Sequence, residues 1–300
     1  MSGFASERPG VEAAEAPRRS VPQRIVDVLK SGLVRVLLML VALLWLMPSV
    51  GLFVASLRHE PDNNASGWWT VFTAPAQLTL ANYRMLLSDN SILTSFVTTV
   101  LIAVPATILT VVIAALAGYA LAWLDFPGRD WLMVLIVGLL IMPIQVALIP
   151  ISKLYGLLGV FGSIVGVVLF HVAFGLPFAI FLLRNFFVGI PRDLIEAARM
   201  DGAREWLTFR RVVIPVGFPA ISSLVVFQFL WVWNDLLVAL VFADQSSAPI
   251  TVVLRSQLRE FGTNIDVLSA GSILSMVIPL VVFFSFQRFF VRGVLANSTM

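Results

Sequence analysis

The chain has 300 residues, 59% hydrophobic and 12% charged, with a formal net charge of +3. Its mean hydropathy of +0.95 is more apolar than one soluble core needs, so the composition indicates a polytopic membrane protein, with an all-α fold expected from its long apolar runs. The absence of cysteine excludes disulfides and thiolate metal sites, and His59 and His171 lie too far apart in sequence to suggest a histidine metal site. The basic balance fits arginines held at a membrane face and gives no reason to expect nucleic acid as a partner.

Residues 1–32 are polar and rich in Ala, Glu, Arg and Pro. They read as a flexible cytoplasmic tail, because the apolar run behind them is too long for the core of a signal peptide. Residues 33–300 then form the transmembrane domain. Six apolar runs are long enough to cross about 30 Å of hydrocarbon at ~1.5 Å per residue. They are Leu33–Leu57, Ile92–Leu124, Trp131–Ile151, Phe161–Leu183, Val216–Phe242 and Ala270–Phe290. Pro105 is expected to kink the second, where Ala114, Ala117, Gly118 and Ala122 permit close helix approach. Long polar loops separate the first run from the second and the fifth from the sixth. The paired Trp68 and Trp69 of the first loop suit the headgroup level.

Six spans place both termini on one side. With the termini inside, fifteen of the 20 basic residues fall on the inner face and five on the outer. The positive-inside rule therefore predicts cytoplasmic termini and a cytoplasmic position for residues 190–215.

That interval is the long helical-looking polar stretch of the second half. Pro191 suits a helix start, and Leu194, Ala197 and Ala198 recur at helical spacing. Gly202 is where a turn in the left-handed region is expected. A second short helix over Ala203–Val213 would place Trp206, Phe209 and Val213 on one face. One reading is a charged surface hairpin with ion pairs such as Arg192 with Glu196. The other is a docking element, with small residues for close approach and Trp206 and Phe209 as anchors.

No catalytic motif is present. The two lysines, Lys30 and Lys153, do not follow a glycine, so the chain has no phosphate-cradling loop of its own. Neither a zinc-protease nor a nucleophile-elbow pattern occurs, and an enzyme is not expected. Asp235 is the acid placed within a span, where a charge costs a few kcal/mol and marks a functional candidate. Gln228, Trp231, Trp233, Asn234 and Asp235 are expected to line a substrate path. Sugars suit such a wall, since hydroxyls need paired donors and acceptors and C–H faces pack on aromatic rings. His171 fits a hydrogen bond to a neighbouring helix, and Gln145 is open to the same reading.

The run Glu196-Ala197-Ala198, then Asp201-Gly202-Ala203, then Ile214-Pro215, resembles the EAA loop in permease subunits of bacterial ABC importers. His171 to Ile180, Phe227 to Asp235 and the ending Gln287 to Gly293 are similar to the carbohydrate-uptake branch. These are relatives of the smaller maltose permease, with Val267–Gly271 and Phe283–Val294 most like alpha-glucoside members. The resemblance implies a type I importer fold with six transmembrane helices and a cytoplasmic coupling helix. It makes Glu196, Ala197, Ala198, Asp201, Gly202, Ala203, Trp206 and Phe209 the ATPase-docking residues, with the deepest contact expected from Ala203 to Phe209. It further implies a second homologous permease and two ATP-binding subunits that hold ATP and Mg. An extracytoplasmic solute-binding protein would deliver a sugar or oligosaccharide across the bacterial inner membrane. In maltose-type relatives the loop corresponding to Ala243–Ser269 reaches into the docked binding protein. A stand-alone secondary transporter, a non-sugar importer and a membrane scaffold are the other classes considered. The first would show paired intramembrane charges or repeated halves.

Overall fold

The computed structural model describes the backbone of residues 21–261 and 265–296, and side chains of 32–257 and 265–287. Residues 1–20 of the expected tail and Gly262, Thr263 and Asn264 of the second long loop lie outside the described residues. Two units divide the chain, Met1–Gly51 and Leu52–Met300. The first unit is helical from Val21, ahead of the expected start at Leu33, and holds most of α1 (Val21–Ser56).

The regular structure in the described part of the second unit is helical, apart from isolated bridges at Arg58–Leu78 and Gly162–Ala243. After α1 come α2 (Glu60–Ala65), α3 (Ala81–Ser88), α4 (Asn90–Trp123), α5 (Arg129–Leu140), α6 (Ile144–Leu158) and α7 (Ile164–Val188). These are followed by α8 (Arg192–Met200), α9 (Glu205–Thr208), α10 (Ile214–Trp233), α11 (Leu237–Phe242), α12 (Ile250–Phe261) and α13 (Ile265–Ala296). Among the described residues, five helical stretches are long and apolar enough to span: Gly32–Ser56, Asn90–Trp123, Ile164–Val188, Glu205–Trp233 and Ile265–Gln287.

Two expected spans take a different form. The run Trp131–Ile151 is not one straight helix: α5 and α6 meet at 102°. Pro143 stands at the break, where its missing N–H and ring prevent continuation from α5. The fifth run does not continue to Phe242. α10 ends at Trp233, and Asn234–Leu236 separates it from α11. The expected separate helix Ala203–Val213 is also absent as such. α9 runs through a π-helical turn, Phe209–Val213, directly into α10, making one 29-residue helix from Glu205 to Trp233.

α4 and α7 form the most extensive helix pair. Between apolar helices in lipid there is no water to expel, so close packing of small residues drives their association. Ala103, Ala106 and Ala114 are fully buried on α4. A Cβ on Gly118 would stand 3.1 Å from the Arg184 backbone nitrogen and 3.3 Å from Leu183 Cβ. Asp89 starts α4 by accepting from Ser91 N–H at 2.8 Å, and Ser163 starts α7 by accepting from Gly166 N–H at 3.2 Å.

Two cores lie along this bundle. One joins α4, α6, α7, α10 and α11 through Phe170, Trp233, Val238 and Phe242. The other joins α4, α7, α8 and the start of the long helix through Tyr119, Leu183, Phe187, Ile195, Phe209 and Val213. The first polar loop is folded rather than open. Arg58 is fully buried, and its guanidinium donates to the carbonyls of Asp62, Ser66 and Gly67 and to Ser66 Oγ, Thr70 Oγ1 and Gln77 Oε1. This fixed fork of donors holds the loop closed over it.

Candidate functional site: a polar end loop and an aromatic groove

The end loop is built on α8. Pro191 is its N-cap, and Asp193 sits in its first turn, where a carboxylate complements the helix dipole. The helix stops at Gly202, whose φ is +78°. Gly202 N–H donates to Arg199 O and Ala203 N–H to Ala198 O, both at 3.0 Å. This pair of bonds satisfies the last carbonyls of the helix and requires a left-handed residue between them. A Cβ at Gly202 would meet nothing within 4 Å, so backbone conformation, not space, selects glycine.

The loop is clamped to the bundle. Ile195 is 1% exposed and fills the second core. Arg199 pairs with Glu205 across the glycine turn at 3.2 Å and donates to Trp123 O at 3.3 Å. Tyr119, near the end of α4, donates its hydroxyl to the same Glu205 carboxylate. Trp123 Nε1 donates to Phe187 O at 3.0 Å, tying α4 to α7. The Arg192–Glu196 pair expected from spacing is not formed, and both residues are exposed.

Glu196, Ala197, Asp201 and Gly202 are exposed, while Ala198 and Ala203 are half-buried. Met200 is 88% exposed and Trp206 62% exposed, so this surface carries large apolar groups. Phe209 meets Trp206 on the expected shared face, with ring centroids 5.6 Å apart, but not as an exposed anchor. It is 5% exposed and packs inward on Tyr119, with ring centroids 5.2 Å apart. Residues three apart on a helix are neighbours, and here the core takes Phe209 while Trp206 stays at the surface.

The second site is a groove of about 290 Å³ between α7 and α10, lined by Phe174, Gly175, Phe178, Phe227, Gln228 and Trp231. Of the residues expected on a substrate path, Gln228 and Trp231 meet here. The other three do not line it. Trp233 is 1% exposed, stacks on Phe229 and donates its indole N–H to Ser275 O at 3.1 Å. Asn234 is exposed and donates to Leu230 O at 2.8 Å.

Asp235 lies at the helix break, not inside a span helix. Its carboxylate accepts from Val238 and Ala239 N–H at 3.3 and 3.1 Å, starting α11. It also lies 3.6 Å from His171 Nε2. His171 in turn meets Trp231 edge-on, with ring centroids 5.2 Å apart. Gln145, by contrast, is exposed. Sequence reasoning missed Phe174, Gly175, Phe178 and Phe227 as groove residues, and Tyr119 and Glu205 as the clamp. The aromatic pairs at i,i+4, Phe174 with Phe178 and Phe227 with Trp231, were a usable signal for two facing walls.

Comparison with known proteins gives these sites a setting. Residues 110–296 match the family described as the inner membrane component of binding-protein-dependent transport systems. The chain is 46% identical over 270 residues to an osmoprotective compounds uptake permease of Synechocystis sp., covering 88% of this chain and 91% of that one. It is also 46% identical over 252 residues to an alpha-glucoside transport system permease of Rhizobium meliloti, covering 82% of this chain and 66% of the relative. In fold it is similar to a chain from a crystal structure of a bacterial ABC transporter for the acidic polysaccharide alginate. The TM-score is 0.75 at 22% identity, covering 92% of this chain and all of that one. The family consists of transporter membrane components and not of enzymes. The chain belongs to the family of binding-protein-dependent transport system inner membrane components.

Proposed function

We propose that the chain is the permease subunit of an ABC importer for a sugar or oligosaccharide, with alpha-glucosides the leading class. The observation that carries the mechanism is the continuous helix Glu205–Trp233. Its first turn presents Trp206 beside α8, and its last turns supply Gln228 and Trp231 to the groove. Trp206 and Trp231 are thus about 37 Å apart along one rod, at ~1.5 Å per residue.

In this reading α8 is the coupling helix. Glu196, Ala197, Met200 and Trp206 form the surface that a separate ATPase subunit grips. ATP and Mg are bound there, since this chain has no phosphate loop. Closure of two such subunits moves α8, and the Arg199–Glu205–Tyr119 clamp passes the motion to α4 and α10. ATP shifts the permease between inward- and outward-facing states only because it favours one of them. A second permease completes the path, and an extracytoplasmic binding protein delivers the solute. The broken pair α5–α6 is the third of six spans. The arginine excess supports a cytoplasmic side for α8 and both termini, with the chain in a bacterial inner membrane. Family membership sets aside the stand-alone secondary transporter.

The Synechocystis relative favours one other reading, import of a non-sugar osmoprotectant. The test is ATP-driven uptake by the complete transporter in liposomes, with labelled maltose, trehalose and sucrose beside glycine betaine. Sugar uptake that betaine does not compete with is the expected result. Betaine uptake without sugar uptake would decide for the alternative.

A further inference from the structure

Gln228 is 4% exposed yet lines the groove. Its amide makes one hydrogen bond among the described residues, Nε2 to Thr110 Oγ1, long at 3.4 Å. A glutamine amide has two N–H donors and a carbonyl with two lone pairs, so most of its capacity is unspent. The amide lines the groove, so its remaining donors and acceptors are available to whatever occupies it.

Gly175 explains how this amide reaches its place. A Cβ built there would stand 2.6 Å from Gln228 Nε2 and 2.9 Å from Oε1. The amide therefore lies flat on the bare backbone of α7. The other lining residues are aromatic, and none of the six is ionisable. An ionised ligand would enter with no counter-charge, at a cost of several kcal/mol. A sugar ring fits instead, with C–H faces for the aromatic walls and hydroxyls for the amide. About 290 Å³ is at the low end for small-molecule sites, enough for one ring and not for a chain.

We infer that Gly175 is a positioning residue for a transport subsite: its missing side chain seats the Gln228 amide as the hydrogen-bonding group of a groove that takes one uncharged sugar ring. This rests on the sugar-import reading. Gly175→Ala pushes the amide off its seat. Gln228→Ala removes the amide and leaves room for the new methyl.

The experiment uses the complete reconstituted transporter with saturating binding protein, and labelled maltose, trehalose and sucrose as probes. It reads sugar carried per ATP hydrolysed. Gly175→Ala and Gln228→Ala should each lower that ratio about tenfold, the scale of one lost hydrogen bond, while ATP hydrolysis continues. Gly175→Ala/Gln228→Ala should be no lower than Gln228→Ala, because the methyl then has no amide to displace. Should Gly175→Ala fail to assemble, assembly of the double variant with the ratio of Gln228→Ala supports the inference equally. Losses that multiply to about a hundredfold, the sum of two independent losses on that scale, would show that Gly175 acts through helix packing, and overturn it. Sugar transport at the wild-type ratio in both single variants overturns it while leaving sugar import intact. A wild-type complex that hydrolyses ATP but carries none of the three sugars overturns the import reading and the inference with it.

Discussion

Tyr119 donates its hydroxyl to the carboxylate of Glu205, joining the end of α4 to the first turn of the helix that ends at Trp233. Arg199 holds the same carboxylate from α8. One acid thus ties together three elements that the sequence keeps 86 positions apart at its widest. A hydrogen bond to a charged group is worth about 1.5–3 kcal/mol. Tyr119→Phe deletes it and leaves the Arg199 pair, which is solvent-screened and contributes little. We expect Tyr119→Phe to assemble and hydrolyse ATP but to carry a few-fold less solute per ATP. Parallel measurement of uptake and hydrolysis in liposomes tests this, and an unchanged ratio would remove the clamp from the coupling path.

Gly202 makes a separable prediction. Its φ of +78° costs a residue with a Cβ about 1–2 kcal/mol, while its surroundings are open. Asn tolerates this region better than branched residues do. Gly202→Asn should therefore retain ATPase co-purification more fully than Gly202→Val. Equal loss in both variants would mean that the partner, not the backbone, demands glycine.

Trp206 and Phe209 should behave oppositely. Phe209→Ala opens a cavity in the core beside Tyr119 and should cost about 3–5 kcal/mol, seen as a lower apparent melting temperature of the permease alone. Trp206 is 62% exposed. Trp206→Ala should leave that temperature within a degree or two, on the order of 0.5 kcal/mol, and weaken ATPase capture instead. Stability loss from Trp206→Ala with capture intact would reverse the assignment.

Asp244 sets the acid limit of the loop after α11. The Ser246 hydroxyl, with Ser246 and Ser247 N–H, donates to its Oδ1, and these bonds hold its carboxyl below the usual aspartate range. A depressed folded value means that the contribution is complete above the unfolded value, about 3.9. It is lost as pH falls through the still lower folded one. The chain has no cysteine, so Gln245→Cys takes a single spin label. Label mobility should be flat from pH 8 to 5 and rise only below about 4. Adding Asp244→Asn should raise it at every pH. A rise near neutral pH would point to another group.

Apolar run length and glycine chemistry were readable from residues alone. Apolar residues in lipid must pair their backbone groups internally, which makes such runs helical although it does not say where they break. Gly202 turns the chain because a left-handed φ is strained for most residues that carry a Cβ. The glutamate-alanine-alanine run, which carries the resemblance to the family, the missing phosphate loop and the arginine excess are likewise local or additive properties. Other features were settled by segments far away in the chain. Within α10 nearly every position is apolar, so periodicity cannot say which face meets α7. The close approach at Gly175 places Gln228 and Trp231 in the groove, and the Ser275 carbonyl draws Trp233 inward. Phe209 is buried and Trp206 exposed because α4 supplies Tyr119 on one side only. Arg58 reads as an outer charge, yet six oxygen acceptors from Asp62 to Gln77 draw it inside. Length and backbone chemistry determine that helices and turns form; which face is covered depends on packing partners that no local pattern contains.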